Sequence, residues 1–370
     1  MKTQRLVEYA DTNRDCTLAL QKELDQIDNG GEYYLPRGTY LVRGSLHIPR
    51  GIRLRGETNY STILVCGKTT GDFIFLSADS QIDNLKIIAE GARHDGAFVT
   101  IVGNGARITN FVMENYAIGV WVKGIVDRPI TFPVIESGNF FNPAIGAVSG
   151  MIVCENYANA VITKVIGSSG VDLIQPHFGI RLLNGDTCII SDVDIVKHRN
   201  ALLIDPPTNY VVYATSISNS LFDSSVGASS AKISAENGGA VYSTKFSNCW
   251  FGISSHHGLE IEGGRGEVDG VSLSGCEFID NKGSGLQAAG PNTRNISLTG
   301  GWSTGNGRDG VRLTDIENAV ISAMLITKAS GRRANQGFGL YTEGCREVAI
   351  TGCIVRGNGQ GEHGPGERPA

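Results

Sequence analysis

The sequence predicts an all-β solenoid: a parallel β-helix of roughly a dozen coils with an N-terminal capping α-helix. Three observations carry this. A six-residue phrase recurs, as in "ISNSLF" (Ile217–Phe222), "FSNCWF" (Phe246–Phe251) and "LSGCEF" (Leu273–Phe278), with about 27 residues between repeats in this stretch. A shorter apolar segment stands upstream of each phrase, often directly after glycine: "GLEIE" (Gly258–Glu262), "GLQAA" (Gly285–Ala289), "GVRLT" (Gly310–Thr314). Glycine is abundant, 49 of 370 residues, with no Gly-X-Y period, which points to frequent turns.

The chain opens with "DCTLALQKELDQI" (Asp15–Ile27), which reads as a helix with Asp15 as N-cap and Leu20, Leu24 and Ile27 on one face. A rod of coils needs such a cap, because its first coil otherwise exposes core and strand edge. Residues 1–31 form this segment, 32–361 the coils, and the Gly/Pro-rich end 362–370 a disordered tail.

Within the phrase, positions one, four and six are apolar and should point inward. Position three is often Asn, Asp or Gly (Asn84, Asn110, Asp192, Asn219, Asn248, Gly275, Gly300, Gly352), residues that tolerate a left-handed backbone, so a bend belongs there. Cys249, Cys276 and Cys353 share the fourth position and read as small buried hydrophobes. Position five should face outward; its occupants include Lys86, Val112, Ile166, Asp194, Leu221, Trp250, Glu277, Trp302, Leu325 and Ile354. The largest departure from the repeat is Lys123–Gly150, whose Phe132, Phe140 and Phe141 suggest an ordered excursion walling a groove together with residues 170–177.

The net charge of −5 argues against nucleic acid as partner. No run approaches the ~18 apolar residues of a membrane span. The start lacks the apolar stretch of a signal peptide, so the expected locations are a phage virion, the extracellular medium after lysis, or the cytoplasm. The cysteines show no metal-ligand spacing, and no cofactor motif is present.

The run "YYLPRGTYLV", "LHIPRGIRLRGE" and "TILV" after a capping helix resembles the N-terminal part of the pectate-lyase-like superfamily of right-handed parallel β-helices. Later coils, with "LLIDPP", "ISNSLFDSS", "SNCWF" and "VDGVSLSGCEF", resemble phage tailspikes and polysaccharide depolymerases. The resemblance implies a polysaccharide substrate and, as one assembly, a homotrimer. Tailspikes usually add an anchoring head and a trimerisation module; here "GNGQGEHGPGERPA" ends the sequence.

Stacked coils turn equivalent positions into columns. On the short strand, one column carries Leu183, Asp205, Ser234, Glu262, Ala289, Thr314 and Glu343; beside it run Arg181, Leu203, Lys232, Glu260, Gln287, Arg312 and Tyr341. Asp205 and Glu262 lie two coils apart, about 9–10 Å by strand spacing, near the upper end of the ~6.5–9.5 Å separation of inverting glycosidases. Glu260 is an alternative partner. Arg181 and Lys232, with His198, Arg199, His256 and His257 from the preceding turns, should rim the carboxylates and bind substrate. Trp250 and Trp302 would stack on sugar rings or meet a second copy of the chain, in which case Asp223 and Glu277 become a rival site between subunits. The preferred activity is glycoside hydrolysis. A polysaccharide lyase, a uronate C5-epimerase and a non-catalytic carbohydrate-binding fibre remain alternatives on the same fold.

Overall fold

In the computed structural model, residues 9–11, 13–144, 149–169 and 177–366 are described. They are all-β apart from one helix, Thr17–Asp25. The chain divides into two compact units, residues 1–180 and 181–370. Each unit is a parallel β-solenoid with three strands to most of its turns, and together they contain about 12 turns.

In the first unit, Leu20 and Leu24 of the helix are fully buried. The helix begins at Thr17; Asp15 lies just outside it and accepts hydrogen bonds from the Thr17 backbone N–H (3.0 Å) and hydroxyl (2.5 Å). Strands Glu32–Leu35, Arg53–Gly56 and Gln81–Asp83 pair in parallel, and Arg107–Glu114 continues the ladder. Part of the Lys123–Gly150 stretch belongs to the coils. Its strand Val134–Phe141 pairs in register with Arg107–Glu114 on one side and Ser149–Ser168 on the other. Phe140 enters the core edge-on to Phe111, with ring centroids 5.3 Å apart. The coil was hidden because its phrase, "IESGNFF", replaces the inward fourth residue by glycine, which makes room for Phe111. Val112, expected outside, is fully buried between Lys86 and Asn139 of the adjoining coils. Residues 145–148 and 170–176 lie outside the described part, and with them most of the second half of the expected groove wall.

In the second unit the repeated phrase behaves as its residues dictate. The third position adopts positive φ in every coil, from 54° at Asp192 and 49° at Asn219 to 63° at Gly352. The sixth position supplies an internal stack: Phe222, Phe251 and Phe278 are buried, with successive centroids 5.6 and 5.4 Å apart. The fifth forms one continuous outward column, Asp194–Leu221–Trp250–Glu277–Trp302–Leu325–Ile354. The glycines before the short strands are set by close approach, since a Cβ on Gly258 or Gly285 would stand 2.5 Å from the carbonyl oxygen of the next coil's glycine. The last strand, Gly361–His363, pairs with Phe338–Glu343, so part of the expected tail belongs to the solenoid; residues 367–370 lie outside the described part.

A buried asparagine ladder fixes one bend. The Asn281 side-chain N–H₂ donates to Asn306 Oδ1, Asn306 to Asn335 Oδ1, and Asn335 to Asn358 Oδ1, each at 2.9 Å. The same amides also serve backbone groups of neighbouring strands, such as the Phe251 and Phe278 carbonyls. The polar groups that the sharp turn takes out of water are therefore satisfied inside it.

Candidate active site on the short-strand face

The short strands Asn200–Ile204, Ala231–Ser234, Leu259–Glu262, Leu286–Ala289 and Val311–Thr314 lie side by side in the expected register. Leu203, Lys232, Glu260, Gln287 and Arg312 form one column. Ser234 and Glu262 pair in the next, and Asp205 directly follows the Ile204–Ile233 pair. Alternation along each strand sends Ile233, Ile261 and Leu259 into the core and the charged residues outward.

Asp205 is only 8% exposed. Its carboxylate takes a two-pronged pair of hydrogen bonds from the Arg181 guanidinium, Nε at 2.8 Å and Nη2 at 2.6 Å. Burial nevertheless pushes its pKa above the ordinary carboxylate value, against the pull of Arg181 and Lys232.

Lys232 Nζ lies 3.0 Å from Glu236, 3.1 Å from Glu260 and 3.2 Å from Glu262. An ammonium has three N–H donors, and here three carboxylates face it. Glu260 also accepts from the Ser229 hydroxyl at 2.6 Å; despite its burial, Lys232 and Ser229 hold its pKa below the ordinary value. Glu262 goes the other way. Its partial burial, together with the neighbouring Glu236, outweighs Lys232 and raises its pKa.

Arg181 and Lys232 are thus committed to internal partners. Expected as substrate-binding cations, they are each paired with carboxylates of this face. Glu236 was missed in the sequence because it sits in the turn beyond the strand; its i,i+4 spacing from Lys232 was the available signal.

The turn residues separate. His198 was expected on the rim but is fully buried. Its Nδ1 bonds the Val196 carbonyl at 2.9 Å, and burial lowers its pKa to about 4, so it is a neutral core residue. The "HRN" turn folds inward there because Asn200 is anchored to the Ser229 carbonyl. Arg199 is exposed and makes no ion pair among the described residues. His257 Nδ1 accepts the Ser284 backbone N–H at 2.9 Å, and burial lowers its pKa despite nearby Glu260. That hydrogen bond makes it a structural turn residue. His256 alone of the three histidines remains exposed.

On the outward column, Trp250 and Trp302 are half-buried on either side of Glu277. Asp223 lies near Asp194, a neighbour the sequence reading did not assign; burial, with Asp194's charge contributing, raises its pKa.

Replacing Lys232 by alanine leaves three carboxylates facing each other. We expect a loss of about 1–3 kcal/mol of stability at neutral pH. Glu236 and Glu260 have folded-state pKa values below their unfolded ones, so their contribution exists above the unfolded carboxylate pKa and is lost as pH falls through the folded values. Denaturant midpoints of wild type and Lys232→Ala should therefore differ at pH 7 and converge in acid; a gap independent of pH would contradict this account.

Residues 212–364 match the family described as "Right handed beta helix region". No curated protein matches the sequence. Among solved structures, the chain is similar to the catalytic unit of a GH87 alpha-1,3-glucanase from Streptomyces thermodiastaticus: TM-score 0.56, 12% identity, covering 97% of this chain and 68% of that one. It is also similar to the A-module of a mannuronan C-5 epimerase from Azotobacter vinelandii, with TM-score 0.56, 12% identity and 99% of each chain covered. A third is tailspike protein 3 of bacteriophage CBA120, at TM-score 0.55 and 14% identity, covering 95% of this chain and 61% of that one. These likenesses show the fold: a right-handed parallel β-helix.

Proposed function

We propose that this right-handed parallel β-helix is a polysaccharide-processing enzyme, and that its short-strand face hydrolyses glycosidic bonds with Glu262 as general acid and Asp205 as general base. The observation that carries the reading is the pair itself: two carboxyls two coils apart on one rigid sheet, both with raised pKa, separated by a lysine that orients the nearer one. Glu262 is the more accessible of the two, as a proton donor to a polymer must be. Three folds of the same class belong to a glucanase, an epimerase and a phage tailspike, which supports a carbohydrate polymer as substrate.

In this scheme Glu262 gives its proton to the glycosidic oxygen as the C1–O bond breaks. Asp205, held by Arg181, takes a proton from the water whose oxygen forms the new C1–O bond, and proton exchange with solvent restores both groups. Hydrolysis is favoured over elimination because Lys232 is a poor base here: its carboxylate partners raise its pKa, whereas a catalytic lysine needs a lowered one.

The test is the chemistry of the products. Acidic polysaccharides treated with the purified protein should yield ordinary reducing ends, and Asp205→Asn should lower the rate at least about 100-fold. Unsaturated uronate ends would replace this reading by a lyase. Altered sugar stereochemistry without shortening would replace it by an epimerase.

A further inference from the structure

With Arg181 and Lys232 consumed by internal pairs, the unengaged cations of the second unit lie elsewhere. A cleft of about 740 Å³ opens along the turns that precede the short strands, lined by Asp280, Lys282, Arg332, Arg333 and Gln336. That volume is in the range of roughly 300–1,000 Å³ typical of small-ligand sites. Arg332 is fixed there: it pairs with Asp280, and its guanidinium lies 5.7 Å from the centre of the Trp250 ring. Lys282 and Arg333 are exposed and form no ion pair among the described residues. The lining thus holds three cations and one carboxylate, in a chain whose net charge is −5.

The cleft is also joined to the candidate active face. The Lys282 N–H donates to the Ser254 carbonyl, and the Gly283 N–H to that of His256, both in the turn leading into the strand that carries Glu260 and Glu262. Its backbone is stiffened from below by the Asn281–Asn306–Asn335 ladder. A cationic, rigidly floored cleft suits a ligand that brings negative charge.

We propose that this cleft is a non-catalytic subsite for acidic saccharides, with Lys282 and Arg333 binding the carboxylates of uronate units and Arg332 held by Asp280 in the same lining. The inference deepens the polysaccharide reading above and rests on it for the nature of the polymer. It implies that the substrate is a polyanion, gripped beside the site where it is cut. Binding should weaken with added salt, since exposed charges are screened.

Calorimetric titration of the full chain with oligogalacturonate, malto-oligosaccharide and inorganic polyphosphate tests this. Oligogalacturonate should bind, malto-oligosaccharide should not, and Lys282→Ala/Arg333→Ala should weaken oligogalacturonate about tenfold or more. The charge-preserving pair Lys282→Arg/Arg333→Lys should retain most of the affinity. Trp250 gives a second readout: ligand-induced change in indole fluorescence should disappear in Trp250→Phe. Absent oligogalacturonate binding, an unaffected alanine variant, or malto-oligosaccharide bound as tightly would each overturn the subsite. Polyphosphate bound as tightly as oligogalacturonate would overturn its assignment to saccharides. The catalytic reading is judged separately, because Asp205→Asn should lower cleavage at least about 100-fold while leaving this binding unchanged. If Asp205→Asn cleaves at the wild-type rate while the alanine pair loses binding, the catalytic assignment fails and the subsite stands.

Discussion

Replacing Glu262 by glutamine is expected to lower polysaccharide cleavage by roughly 10²–10⁴-fold, the usual contribution of a positioned general acid. Glutamine keeps the shape of the side chain and can still accept from Lys232, but it has no proton to give. The fold should persist, because Glu262 lies on the outer surface of a strand whose core contacts are made by Leu259 and Ile261. The pH profile sharpens the prediction. A raised pKa keeps Glu262 protonated to higher pH than an ordinary glutamate, so the wild-type rate should fall as pH rises through that value. Lys232→Ala removes the group that opposes this shift, so the alkaline limb should move to higher pH. A limb that stays in place would mean that another group supplies the proton.

The largest expected effect on stability is that of Asn306→Leu. Asn306 is fully buried. Its Oδ1 accepts from the Asn281 backbone (3.2 Å) and side chain (2.9 Å), while its N–H₂ donates to the Phe278 carbonyl and to Asn335. Leucine fills the space and serves none of them. Each buried polar group left unmatched costs about 1–3 kcal/mol, so a loss of about 3 kcal/mol or more is expected. Chemical denaturation measures it. Because coils in a solenoid contact mainly their neighbours, hydrogen exchange should show the loss concentrated around residues 278–338. A variant as stable as wild type would mean that the ladder is incidental to the turn.

The coil pattern was legible because its determinants are short-range and repeated. Asn219, Asn248 and Gly275 announce a left-handed bend, and the residues at positions four and six announce an inner face; they sit where that grammar requires, except that Cys353 of the last phrase, expected to be buried, is only half-buried. The asparagine ladder was equally present, as "NKG", "NGRDG" and "NQG", but the stretch before it varies in length, with Asn335 following its phrase at a longer distance than Asn281 or Asn306, and this concealed it. Bends at Lys197 and Ile253 also went unread, because their positive φ is imposed by neighbouring coils and not by side-chain preference.

The candidate site was legible only as columns. Strand register brought Lys232, Glu260 and Glu262 together as alternation required. Which charges face a partner and which face solvent depends on side-chain reach across coils, and no periodicity encodes that. So Arg181 and Lys232 turn out to be engaged, His198 to be buried, and Lys282 and Arg333, like Arg199, to be exposed. The link from Arg332 to Asp280 spans 52 residues.

The most direct test of the central claim compares wild type with the Asp205→Asn/Glu262→Gln double variant on one uronate-rich polysaccharide, following chain size by size-exclusion chromatography. The expected result is progressive shortening by wild type and none by the variant. Shortening by both would remove catalysis from the short-strand face, and an unchanged polymer with both would contradict hydrolysis of that polysaccharide.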